Sequence, residues 1–93
     1  MVEKETTVKN KTGLHARPAS KLVNEASSYQ SEVRIVYKDK KINAKSIMGL
    51  MSLGIDQGSK IIIQAEGEDE NNAVSKLIEL IESGFGEEEK NIS

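Results

Sequence analysis

Lys60-Ile61-Ile62-Ile63-Gln64-Ala65-Glu66 is followed at once by Gly67-Glu68-Asp69, and then by a segment in which Val74, Leu77, Ile78 and Ile81 recur. The β-branched run at 61–63 has the composition of a buried strand. The later residues follow the i, i+3, i+4, i+7 spacing of one helix face. Asp69 stands where an N-cap is expected and Gly84 where a helix stop is expected. A strand feeding an amphipathic helix is therefore the closing unit of the chain, and the other elements are read relative to it.

Upstream, the pattern alternates between these two periods. Val2, Lys4, Thr6 and Val8 alternate with Glu3, Glu5, Thr7 and Lys9, which reads as a weak first strand over 2–9. Asn10 to Gly13 has loop chemistry. Ala16, Ala19, Leu22, Val23 and Ala26 recur at helical spacing, with Pro18 near the start, so a helix is expected over about 16–27. Val33, Ile35 and Tyr37 share one face of a strand over 32–37. A turn at Lys38-Asp39-Lys40 leads to a second strand through Ile42, making a hairpin. Ser46 precedes Ile47-Met48-Gly49-Leu50-Met51-Ser52-Leu53, which fits a helix of one or two turns ending near Gly54. The order is β-α-β-β-α-β-α, an α+β fold with helices on one face of an antiparallel sheet. Residues 1–86 are expected to form one domain, and 87–93 an acidic, flexible tail.

Composition narrows the chemistry. The chain has 93 residues, and a domain of this size buries roughly 60–65% of the surface of its unfolded chain. A surface site is expected rather than a deep cavity. There is no cysteine and only one histidine, which excludes disulfides, thiolate catalysis, thiol-rich zinc sites and histidine-rich metal sites. No cofactor is expected. Thirteen basic and fifteen acidic residues give a formal net charge of −2, and aromatics make up 3% of the chain. Neither the basic stripe nor the stacking rings of a nucleic-acid binder are present, which weighs against an RNA-binding α+β domain. MVEKETTVKN has no apolar run of the signal-peptide kind, and no stretch is long enough to span a bilayer. A cytoplasmic protein without membrane insertion is expected.

The informative segment is Gly13-Leu14-His15-Ala16-Arg17-Pro18-Ala19. It places an imidazole at the N-terminal end of a helix, where the first amides lack helical partners and the dipole favours an anion. Arg17 can offer a guanidinium fork to the same anion. A neutral imidazole, with an ordinary pKa of about 6.5, is a nucleophile near neutral pH. On spacing alone, a histidine at a helix start is more commonly a cap or a bystander at the surface. At the second segment, Ser46 suits an N-cap. Leu50 and Leu53 are the better core candidates, whereas Ile47, Met48 and Met51 suit either core or an exposed apolar patch.

Gly13 to Ala19 resembles the active-site signature of HPr, the phosphocarrier of the bacterial phosphoenolpyruvate:sugar phosphotransferase system. Lys45-Ser46-Ile47-Met48-Gly49-Leu50-Met51-Ser52-Leu53-Gly54 resembles the second signature of that family, in its Gram-positive form. The resemblance covers about residues 2–86. It implies an open-faced β-sandwich with a four-stranded antiparallel sheet and three helices, in a carrier that is not itself an enzyme. It implies that His15 accepts a phosphoryl group at Nδ1 from enzyme I, with Arg17 assisting, and passes it to sugar-specific IIA domains. It also implies that Ser46 is phosphorylated by HPr kinase/phosphorylase, and that the product is read by catabolite control protein A. A regulator-only paralogue in the family lacks the active-site histidine that this chain has. Ser20, Lys21, Ile47, Met48, Gly49 and Met51 form the candidate docking surface of a protein expected to be a monomer.

Overall fold

The computed structural model describes residues 1–86. The expected tail, 87–93, lies outside the described residues. Seven elements follow the order read from the sequence: β1 (Val2–Thr7), α1 (Ala16–Ser27), β2 (Glu32–Tyr37), β3 (Lys40–Asn43), α2 (Ile47–Ser52), β4 (Lys60–Glu66) and α3 (Glu70–Glu82). The first strand is shorter than the alternation suggested: the Val8 amide still donates to Ser59 O at 2.9 Å, but the Ser59 amide turns away to Asp56 O at 3.1 Å and Gly58 donates to the Val8 carbonyl instead, at 2.8 Å.

The four strands form one sheet in the order β1-β4-β2-β3, with every neighbouring pair antiparallel. The closing strand β4 thus lies between β1 and β2, pairing Ile63 with Lys4 on one side and with Ile35 on the other. That central place explains its apolar run. Ile61, Ile63 and Ala65 point with Val33 and Ile35 into the core, which the helices close with Leu22, Leu50, Leu77 and Ile81. α3 lies over β1 and β4, and α1 packs against α2 and α3. The opposite sheet face carries a polar row, Glu3, Gln64, Arg34 and Asn43, in register across all the strands. This is the open-faced sandwich expected from the sequence.

Two local expectations are corrected. Lys40 is not part of the turn but already pairs with Tyr37, so the hairpin turns on Lys38 and Asp39, with Lys38 at φ +57°. Asp69 holds the N-cap position of α3 but makes no cap hydrogen bond. Its carboxylate instead accepts from the amides of Gln30 and Ser31, at 2.9 and 3.0 Å, and from the Ser31 hydroxyl at 2.5 Å. It ties the α1–β2 loop to the β4–α3 loop, and those donors hold its carboxyl below the ordinary aspartate value. Past the stop at Gly84 (φ +70°), Phe85 turns inward and is 2% exposed, a core residue that no periodicity announced.

Candidate functional site

The loop before α1 is fixed from both ends. Asn10, almost fully buried, donates its side-chain amide to Gly13 O at 2.8 Å and to Thr12 Oγ1 at 3.1 Å, and its carbonyl accepts from the Gly13 amide at 3.2 Å. Leu14 inserts into the core and donates its amide to Ile55 O at 3.0 Å. Gly13 adopts φ +62°, and a Cβ there would sit 2.4 Å from Ile55 O and 2.8 Å from the Asp56 Cα. Only glycine permits both the left-handed turn and the close approach of the two backbones. With Leu14 anchored, the next residue is turned outward, and that residue is His15.

His15 is the N-cap residue of α1, exposed, in extended backbone geometry (φ −74°, ψ −173°), and its imidazole makes no cap hydrogen bond. Its carbonyl accepts from the Ala19 amide at 2.9 Å. Pro18 has no N–H, so the first turn presents the amides of Ala16 and Arg17, neither of which has a partner among the described residues. Arg17 is exposed on the same turn. The structure therefore places His15, two backbone donors and Arg17 on the first turn of one helix, a combination of residue types suited to a phosphoryl group.

The second segment lies beside the first. Ser46 is the N-cap of α2, and its Oγ accepts from the Gly49 amide at 3.1 Å. Leu50 and Leu53 are buried, while Ile47, Met48 and Met51 are 36, 79 and 44% exposed. The two readings left open by the spacing are thus resolved in favour of an exposed patch. Met51 shares with His15 a shallow cleft of about 200 Å³, lined also by Leu14, Gly54, Ile55 and Asp56. A larger cavity of about 360 Å³ lies elsewhere, lined by Glu32, Val33, Arg34, Asn43 and Lys45. Its cations are engaged, Arg34 with Glu32 and Glu66, and Lys45 with Tyr29 O.

The remaining candidates divide by environment. Ser20 is half-buried on the first helix. Lys21 is half-buried, and its ammonium is committed to Phe85 O at 2.8 Å, an intramolecular bond that sequence spacing could not show. Gly49 is half-buried, and a Cβ there would lie 2.7 Å from Ile42 Cγ2, so its smallness lets α2 settle on β3. Asn10, which holds the loop, was legible only as a loop former, and Gly13 only as a loop former and the first residue of the signature. Asn10 acts through contacts that no motif spells out.

A family model described as "PTS HPr component phosphorylation site" matches residues 2–83. The chain belongs to the PTS HPr family. HPr proteins are phosphocarriers, and the comparisons extend over almost the whole chain. The phosphocarrier protein HPr of Xylella fastidiosa strain Temecula1 is 48% identical over 88 residues, 95% of this chain and 99% of that protein. The HPr-like protein Crh of Halalkalibacterium halodurans is 56% identical over 82 residues, 88% of this chain and 98% of the relative. Among solved structures, HPr-C-His of Thermoanaerobacter tengcongensis superposes with a TM-score of 0.91 at 53% identity, covering 94% of this chain and 98% of that one. No helix among the described residues is long and apolar enough to cross a membrane.

Proposed function

We propose that His15 accepts a phosphoryl group at Nδ1 from enzyme I, which is charged by phosphoenolpyruvate, and passes it to sugar-specific IIA domains in the cytoplasm. The observation that carries this reading is the outward-facing His15 at a helix end with two uncommitted amides, Ala16 and Arg17. The imidazole lone pair attacks phosphorus as the bond to the donor breaks. The charge spread over the equatorial oxygens is met by those amides and the Arg17 guanidinium. The same groups hold the phosphohistidine loosely enough for onward transfer, because the site is exposed and no lid covers it among the described residues.

Regulation enters at Ser46. HPr kinase/phosphorylase would place a group of about −1.5 to −2 charge at the start of α2, where free amides stabilise it. That charge adjoins Ile47 and Met48, in the surface through which enzyme I docks. It slows His15 phosphorylation and creates a handle for an Arg- or Lys-bearing partner, catabolite control protein A. A second reading, a regulator acting through Ser46 without phosphoryl transfer, is favoured by the 56% identity to Crh. The presence of His15 favours the carrier. Incubation with enzyme I and labelled phosphoenolpyruvate separates the two, since a regulator-only protein takes up no label on histidine.

A further inference from the structure

We propose that Met48 and Met51 form a reversible oxidation switch on the docking surface, in which hydroperoxides convert the apolar patch into a polar one and disengage the carrier from its partners. The proposal rests on the reading of this patch as the surface that enzyme I meets.

The chain holds three sulfur atoms, all in methionines, and no cysteine competes for an oxidant. Each of the three is exposed, Met1 at 63%, Met48 at 79% and Met51 at 44%. Oxidant chemistry at sulfur therefore falls on the surface. Two of the three sites lie one helical turn apart on α2, with Ile47 completing an apolar strip. Met1 stands apart at the start of β1, its ammonium 3.5 Å from Glu70.

The chemistry is closed with a hydroperoxide as oxidant. The thioether lone pair attacks one peroxide oxygen, the O–O bond breaks, and the departing oxygen takes the proton of the transferred one. Sulfur is oxidised by two electrons to the sulfoxide, and the peroxide is reduced to water or an alcohol. A methionine sulfoxide reductase, drawing two electrons from a dithiol, returns the thioether and releases the oxygen as water.

Geometry decides why this acts as a switch rather than as damage. Oxidising a buried methionine breaks a core, but here Leu50 and Leu53 fill that role, and neither Met48 nor Met51 belongs to it. The fold keeps its packing while the surface changes character. Met51 also lines the cleft next to His15, so the new dipole stands where a partner must approach the imidazole. The reach of the switch is thus docking, and the phosphoryl cradle at Ala16 and Arg17 is left as it was.

The test treats the intact protein with hydrogen peroxide, maps the sulfoxides by peptide mass spectrometry, and measures the KM of enzyme I for this chain before and after. Complete oxidation of Met48 and Met51 should raise that KM at least about fivefold, the loss expected from weakening one interface anchor. The thermal midpoint should be unchanged, and reductase treatment should restore the KM. In the Met48→Leu/Met51→Leu protein, the KM before and after peroxide should be equal, whatever its starting value. An unchanged KM in the fully oxidised wild type, a peroxide loss in the double variant as large as in the wild type, or a loss that tracks unfolding would each overturn the proposal. Absence of label on the reduced protein would instead overturn the carrier reading, and the switch with it.

Discussion

Gly13→Ala is the substitution whose consequence can be worked most closely from the structure. An alanine at φ +62° carries about 1 kcal/mol of left-handed strain. Its Cβ meets backbone atoms, Ile55 O at 2.4 Å and the Asp56 Cα at 2.8 Å, so the two chains must part by about 0.6 Å merely to reach 3.0 Å. Such crowding costs roughly 1–3 kcal/mol. It also stretches the Leu14 amide bond to the same Ile55 oxygen, worth about 1 kcal/mol. A total of about 3–5 kcal/mol lowers the thermal midpoint by roughly 12–40 °C in a domain of this size. Gly54→Ala is the matched control, because its φ of +64° is within 2° of that at Gly13 but nothing lies within 4 Å of where a Cβ would stand. It should lose only the conformational part, about 1 kcal/mol or roughly 4–8 °C. Thermal and urea denaturation of both proteins decide the matter, with enzyme I-dependent labelling reporting any displacement of His15. Equal destabilisation by the two substitutions would refute the claim that backbone contact at Gly13 fixes the His15 loop.

Three further outcomes follow from the same geometry. Arg17→Lys replaces a planar fork by a point charge, and stopped-flow phosphoryl transfer should slow while the thermal midpoint stays within experimental error; an unchanged rate would leave the helix amides as the whole cradle. Ser46→Ala removes the cap bond to the Gly49 amide, which should cost about 1 kcal/mol and roughly 4–8 °C in a melting experiment while His15 labelling persists and kinase-dependent labelling disappears. The Asp69 carboxyl is held below its ordinary value of 3.8, so its contribution to stability is complete above that pH and is lost as pH falls through the lower, folded-state value. Urea midpoints measured from neutral to acid pH should show a shallower acid limb for Asp69→Asn than for the wild type, and identical limbs would show that the Ser31 clasp does not govern acid stability.

What the sequence revealed and what it hid divide by the range of the contacts. The order of the seven elements was legible because each depends on a local period: alternation in β1, the β-branched run of β4, and the i, i+3, i+4 rows of α1 and α3. His15 and Ser46 were legible because capping and anion binding at helix ends are properties of a few adjacent residues. Phe85 was hidden, since it lies beyond the helix stop in a glycine-rich run and reaches the core through a left-handed turn. The Asp69 carboxylate was mistaken for a cap because its true donors, on Gln30 and Ser31, are distant in sequence. The Lys21 bond to Phe85 O was hidden for the same reason, being visible only once α1 and the residues that follow α3 are folded together. The exposure of Ile47, Met48 and Met51 was also beyond pattern alone, because a helix as short as α2 has too few turns to declare its faces.

The most direct test of the central claim is acid-labile labelling of His15. Wild-type protein incubated with enzyme I and labelled phosphoenolpyruvate should take up one phosphoryl group per chain, mapping to the peptide that contains His15. The His15→Ala protein, whose side chain is exposed and makes no cap bond, should fold as the wild type does and take up none. Uptake by that variant at the wild-type rate, or no uptake by the wild type, would contradict the assignment of this chain as a phosphoryl carrier acting through His15.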